Sequence, residues 1–405
     1  MTKTNIDIKV KKQELIFLSL FAIFIGFLVG FLDFVFGKGL LILSAFRNTH
    51  FLYVIPFLAI SGLLIIFLYD RFGGKAKAGM SLLFEVGQEK EEAIPLVLIP
   101  LIILSTWMTH LFGGSAGREG VAVQIGASLA HYFSKFSQFE NASRLYLVIG
   151  MSAGFAGLFQ TPIAAVLFSL ELLLLDHVFF RALIPTTIAA FTASMTTHFL
   201  GLEKFSVSLQ HPLELNLDLF LKILILGLLF GIVGNAFAIS LSRLKSYFSN
   251  ILENPYQRIM IIGFLLSMLL ILLHLGRYSG LGTNLIAAAF NEKQVLPYDW
   301  FFKFVLTVIT IAAGFQGGEV TPLFAIGASL GAVLAPLFGL PIGLVAALGY
   351  ICVFSSATNT FFAPLFIGFE VFGSNNFVFF FLALVFAYSL NRKYSIYSKQ
   401  ERLIL

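Results

Sequence analysis

Apolar runs near the ~20 residues needed to cross a bilayer follow one another along this chain with little between them. They fall near 15–36, 51–69, 94–112, 121–133, 145–175, 182–200, 217–241, 259–276, 300–315, 320–352 and 361–390. The loops are short, and no Ser/Pro/Gly-rich linker or block of charge marks off a soluble domain. Composition agrees. Of 405 residues, 58% are hydrophobic and 12% charged, against about 25% charged in a soluble domain. The pattern requires an all-α, polytopic membrane protein, with 1–405 as a single transmembrane domain.

The formal charge of +5 reads as positive loops on one membrane side and not as a nucleic-acid face. Lys3, Lys9, Lys11 and Lys12 precede the first run, which lacks a small-residue cleavage site and is expected to stay as a helix. Arg392, Lys393, Lys399 and Arg402 follow the last run. Both termini are therefore expected in the cytoplasm, with Arg71, Lys75 and Lys77 on the same side. Cys352 is the one cysteine, which excludes an intrachain disulfide and a cysteine metal cluster. The seven histidines form no H-x-x-x-H pair, so neither a metal nor a cofactor is expected.

Several runs are too glycine-broken to be simple spans. One break is read at Gly154-Phe-Ala-Gly157-Leu-Phe-Gln-Thr-Pro162, another at Gly314-Phe-Gln-Gly317-Gly318-Glu-Val-Thr-Pro322. Backbone freed at membrane depth is tolerated only where protein or a water-filled cavity satisfies it, so these breaks point at a site. They also recur. Ile125-Gly-Ala-Ser-Leu129 returns 201 positions later as Ile326-Gly-Ala-Ser-Leu330, and Gly150, Thr161 and Glu171 return as Gly349, Thr360 and Glu370 at an offset of 199. Two agreeing offsets predict two halves, 1–203 and 204–405. Paired broken helices in corresponding halves mark a transporter's binding site near the midplane.

A half-helix that begins inside the membrane presents free N–H groups and a positive dipole end, a site suited to an anion. Starts are expected near Lys75–Met80, Gly114–Gly120 and Gly317–Thr321. Glu119 sits at the second. Its carboxylate would compete with an anion for the same amides and would leave on protonation; the plainer alternative is a helix cap paired with Arg118. Glu319 holds a similar place with a similar alternative, and Thr321 offers a hydroxyl that either meets a ligand or caps its helix. Glu171 and Glu370 read as structural. The 48 phenylalanines have positive ring edges able to face a small anion, but sequence alone does not single any out. A different class, an intramembrane hydrolase built on His110, Ser115 and Glu119, would need those groups to meet. His110 precedes the glycine break and no second acid is placed near it. The chain is not expected to be an enzyme.

Gly114-Ser-Ala-Gly117-Arg118-Glu119-Gly120 resembles the gating-glutamate motif of the CLC chloride channel and antiporter family. Gly154 through Pro162 and Phe168-Ser-Leu-Glu171 resemble its following helix pair, and Gly317-Gly318-Glu-Val-Thr-Pro322 its third signature. The resemblance implies a homodimer with one pathway per subunit, each subunit carrying two inverted-topology repeats of tilted, broken helices. It makes Glu119 the gate that carries the proton and competes with the anion. Departures from the family pattern narrow the expectation. Gly79-Met80 stands where chloride-handling members have a serine hydroxyl, Val121 replaces a proline, and Glu319-Val320-Thr321 follows the Gly-Gly pair. Glu171-Leu172 lacks the second, proton-relaying carboxylate of chloride/proton antiporters. This combination is similar to the fluoride/proton antiporter branch. A tyrosine near the last helix is then expected beside the central anion, Tyr397 or its neighbour Tyr394. The expectation is a fluoride/proton antiporter of the inner or plasma membrane, exporting fluoride against inward protons. Met80, Glu319, Val320, Thr321 and Tyr397 would be its selectivity residues. The alternative is a chloride/proton antiporter or chloride channel of the same fold.

Overall fold

The apolar runs become helices because lipid offers the backbone no partner, and a helix satisfies nearly every N–H and C=O within its own segment. A computed structural model describes residues 3–137, 140–173, 179–209, 213–291, 294–390 and 393–401, and they form no strand. Arg392 and Arg402 lie outside them. Six helical stretches are long and apolar enough to span a membrane. The protein is an integral membrane protein.

The first run extends well past its expected end. Gln13–Thr49 is 37 residues, about 55 Å at 1.5 Å per residue against a hydrocarbon core of about 30 Å. Such a helix fits only by tilting or by projecting from the bilayer.

The break expected between Gly154 and Pro162 falls at its end. Gly154 and Gly157 lie inside the helix Ala142–Phe159, which stops at Gln160 in the left-handed region (φ 56°, ψ 38°). Pro162 then opens the helix Pro162–Leu173, a position where its missing N–H costs nothing. The glycines serve packing instead. A Cβ on Gly154 would run into the carbonyl of Ala122, and one on Gly126 into that of Gly150. Small residues thus bring Glu119–Ser134 and Ala142–Phe159 into backbone contact.

The same construction returns later in the chain. Gly327 meets the carbonyl of Gly349, joining Val320–Phe338 to Ile342–Thr358. That second helix ends at Asn359 with φ 54° and ψ 47°, before Phe362–Phe372 begins. The long runs 320–352 and 361–390 each divide into two helices, the first at Gly339–Pro341 and the second at Gly373–Asn376. The first turn, Gly339-Leu340-Pro341, offers hydropathy no contrast, whereas the second, Gly373-Ser374-Asn375-Asn376, is a short polar interruption within the 361–390 run.

Candidate functional site

Three helices begin inside the molecule: Met80–Gly87, Glu119–Ser134 and Val320–Phe338. Gly79 makes the first start possible, holding φ 53° and ψ −126°, which a side chain would resist. The loops ahead of the other two are stitched to each other. Gly117 and Gly318 form an antiparallel pair, with Gly318 N–H donating to Gly117 O at 2.8 Å and Gly117 N–H donating back to Gly318 O.

The stitching places Glu119 against the opposite helix start. Its side chain is 1% exposed. Oε2 accepts from the Thr321 N–H at 3.1 Å and from the Thr321 hydroxyl. Arg118 N–H adds a longer contact at 3.3 Å. The Arg118 guanidinium lies 3.6 Å from Oε1, too far for a hydrogen bond. The carboxylate therefore occupies an anion position at the start of Val320–Phe338, not at the start of its own helix. Thr321 donates from backbone and side chain together, a pair of donors suited to any small anion that takes the carboxylate's place.

Below this pair, a cavity of about 200 Å³ is lined by Gly79, Met80, Gln124, Gly318, Glu319 and Tyr397, among others. The structure thus brings Met80, Glu319 and Tyr397 to one space, and sets Glu119 and Thr321 just beyond it. Val320 is buried as the first residue of its helix. Tyr397 is buried between Phe84 and Phe168, at ring distances of 5.6 and 6.2 Å. Its hydroxyl has no hydrogen-bond partner among the described residues. Tyr394 lines a neighbouring cavity of about 400 Å³ that also reaches Glu319.

Sequence reasoning missed Gln124. Its amide N–H donates to Gly120 O at 3.1 Å, while its buried Oε1 is unpartnered among the described residues. An amide set in an otherwise apolar helix, one turn after Gly120, was the available signal. Phe84 and the cations Lys77, Lys245 and Arg258 also line the smaller cavity, and nothing local in the sequence links the cations to it.

The hydrolase constellation does not assemble. Both ring nitrogens of His110 face backbone carbonyls, Thr106 O at 2.9 Å and Ala116 O at 3.0 Å. Ser115 Oγ instead accepts from the Lys303 ammonium at 2.8 Å and lies 2.9 Å from Thr307 Oγ1. Lys303 is fully buried and also donates to Gly280 O and Tyr278 O. These contacts anchor the loop that leads to Glu119. No group of three or more His, Cys, Asp or Glu that could hold a metal occurs among the described residues.

Comparison with known proteins bears on the family and the fold. Residues 61–392 match the family described as voltage gated chloride channel. A chloride/fluoride channel protein of Pseudomonas syringae pv. tomato is 34% identical over 337 residues, covering 82% of this chain and 74% of that protein. A crystal structure of a CLC-type fluoride/proton antiporter is 54% identical and superposes with a TM-score of 0.94, covering 96% of this chain and 98% of the other. A slow cyanobacterial chloride/proton antiporter shares the fold, with a TM-score of 0.81 at 20% identity over 94% of this chain and 96% of its own.

Proposed function

The chain belongs to the voltage gated chloride channel family, and we propose that within it this protein is a fluoride/proton antiporter. The observation that carries this reading is the docking of Glu119 on Thr321, taken with its likeness to an antiporter of that kind over nearly the whole chain. While ionised, the Glu119 carboxylate fills the Thr321 donors. Protonation removes its charge, weakens that hold and frees both donors for an arriving anion. One side chain then couples the two ions, since proton and anion each need the other's move.

Fluoride is small and strongly hydrated, so removing its water requires close donors. Thr321 supplies a hydroxyl and an amide, and the unpartnered Tyr397 hydroxyl stands ready in the cavity below. Met80 puts a thioether at the first half-helix start, where a serine hydroxyl would suit chloride. Val320 packs the turn between Glu319 and Thr321. Leu172 carries no carboxylate and lines a separate cavity with Arg144 and Glu401, so Glu119 must bring protons across by swinging between the two sides. Glu319, which lines the cavity with Met80 and Tyr397, helps the proton or the hydrated anion on its way.

The same reading takes 1–203 and 204–405 as two inverted-topology repeats, supported by the recurring glycine contacts and the Gly117–Gly318 pair. It places both termini in the cytoplasm, the protein in the inner or plasma membrane, and two subunits together with one pathway each. Detoxification by fluoride export is the role.

The test uses purified protein in fluoride-loaded liposomes, following fluoride release and internal pH together with chloride as a matched control. Fluoride release that draws protons inward with little chloride flux is expected. Equal chloride flux would instead favour the chloride branch of the family.

A further inference from the structure

The loop that leads to Glu119 is gripped by one face of a helix far along the chain. Lys303, Thr307 and Thr310 stand at i, i+4 and i+7 of Asp299–Ala313, a spacing that stacks them on one side. All three, and Ser115 opposite them, are fully buried. Ser115 Oγ lies 2.8 Å from Lys303 Nζ and 2.9 Å from Thr307 Oγ1, and the Ser115 N–H donates to Thr310 Oγ1 at 3.2 Å. Residues 278–280 close the other side. Gly280 N–H donates to Gly114 O at 3.1 Å, and Ala116 N–H donates to Gly280 O at 3.3 Å. Lys303 itself donates to Gly280 O at 2.6 Å and to Tyr278 O at 3.3 Å.

Counting protons fixes the charge of this lysine. Thr307 donates its hydroxyl proton to Lys303 O at 2.7 Å, so the proton between Thr307 and Ser115 belongs to Ser115. Ser115 Oγ must then accept from Nζ, and the other two partners of Nζ are carbonyls. Three donated bonds require an ammonium, which has three donors and no acceptor. No carboxylate lies within 4.0 Å of it among the described residues. Asp299, one turn earlier, is engaged by Arg277 at 2.6 Å, by the Tyr278 hydroxyl and by the Leu296 N–H. Arg47, a second buried cation beside Gly280, donates to His110 O and to Asn48.

A buried charge without a counter-ion is costly, and an apolar side chain of similar volume often fills such a place with no loss of stability. Packing alone therefore does not explain Lys303. What the ammonium adds is a hydrogen bond stronger than a neutral donor makes, aimed at a residue four positions before Glu119. We propose that Lys303 is a positioning residue for the gate: its hold on Ser115 sets where the Gly114–Arg118 segment sits and so keeps the Glu119 carboxylate in register with Thr321. The inference rests on the antiport reading above. A loop released from Lys303 lets ionised Glu119 leave Thr321 without first taking a proton, and fluoride then passes with no proton in exchange.

The test compares Lys303→Met and Ser115→Ala with wild type, each as full-length protein in liposomes, following fluoride release and proton uptake together over a range of fluoride concentrations. Protons moved per fluoride are expected to fall at least threefold in Lys303→Met and at least twofold in Ser115→Ala. Half-saturating fluoride should fall in both, because the carboxylate competes less well for Thr321. A merely structural role would only lower the number of working transporters. Slower flux with wild-type protons per fluoride and wild-type half-saturation would therefore overturn the proposal. A changed ratio in Lys303→Met with none in Ser115→Ala would overturn it too, since the charge would then act without the contact. Should Lys303→Met not reconstitute, the ratio in Ser115→Ala decides alone. Wild-type protein that moved fluoride without protons would instead defeat the antiport reading itself.

Discussion

Glu171 and Glu370 each cap the helix start that precedes the other. Glu171 accepts from the amides of Phe361, Phe362 and Ala363 at 2.8–2.9 Å, ahead of the helix that carries Glu370. Glu370 accepts from Ile163 at 3.2 Å and Ala164 at 2.8 Å, at the start of the helix that carries Glu171. Helix starts at membrane depth leave amides that water cannot reach, and this exchange satisfies both with residues 199 positions apart.

Removing either cap strands those amides. Glu171→Ala and Glu370→Ala should each cost roughly 1–3 kcal/mol, the range for leaving buried donors unpaired. The measurement is the thermal unfolding midpoint in detergent. A midpoint equal to wild type for both variants would show that the exchange carries no stability.

Glu119→Gln keeps the shape of the gate but removes the group that takes up the proton. Fluoride-driven proton uptake should drop to background in liposomes while some fluoride flux survives. Undiminished proton uptake would remove Glu119 from the coupling.

Thr321→Ala leaves the backbone donor and deletes the hydroxyl that Glu119 accepts from. A hydrogen bond to a charged group contributes about 1.5–3 kcal/mol, which corresponds to a rate or affinity loss on the order of tenfold or more. Fluoride efflux at the wild-type rate would mean the hydroxyl serves only its own helix.

Met80→Ser returns a hydroxyl to the start of Met80–Gly87. Chloride flux relative to fluoride should rise several-fold in matched efflux assays. An unchanged ratio would take this side chain out of the selectivity account.

Gly126→Ala and Gly327→Ala place a methyl against the carbonyls of Gly150 and Gly349. Overpacking of this kind costs about 1–3 kcal/mol, so both variants should unfold at lower temperature than wild type. Full retention of stability in either would show that the helices can separate without penalty.

Much of this architecture was legible from local chemistry. Glycine beside polar residues inside apolar runs marked the starts at Met80, Glu119 and Val320, because such sequences cannot continue a buried helix cheaply. Gly154 and Gly157 misled in the opposite direction. Inside a membrane, glycine serves close packing as readily as it serves a break, and only a neighbouring helix decides which. The docking of Glu119 on Thr321 was also out of reach, since the two residues stand 202 positions apart and nothing near either names its partner. The choice between Tyr394 and Tyr397 followed the same logic. Three residues apart, they line different cavities once the C-terminal segment folds back. Lys245 and Ser246 resemble the ordinary polar end of any membrane helix, and their place beside Glu319 comes from tertiary contact alone.

The Gly117–Gly318 pair bears finally on what the surrounding lipid can feel. A transporter that rocks one half against the other alters its outline in the bilayer at every turnover, and the bilayer resists. Here two amide–carbonyl bonds join the loops that lead into the helices carrying Glu119 and Thr321, an arrangement that would leave the traffic to rotating side chains. If those two bonds persist through the cycle, the outline presented to the acyl chains stays constant. Turnover should accordingly depend little on acyl-chain length, because no step stretches or thins the membrane around the protein.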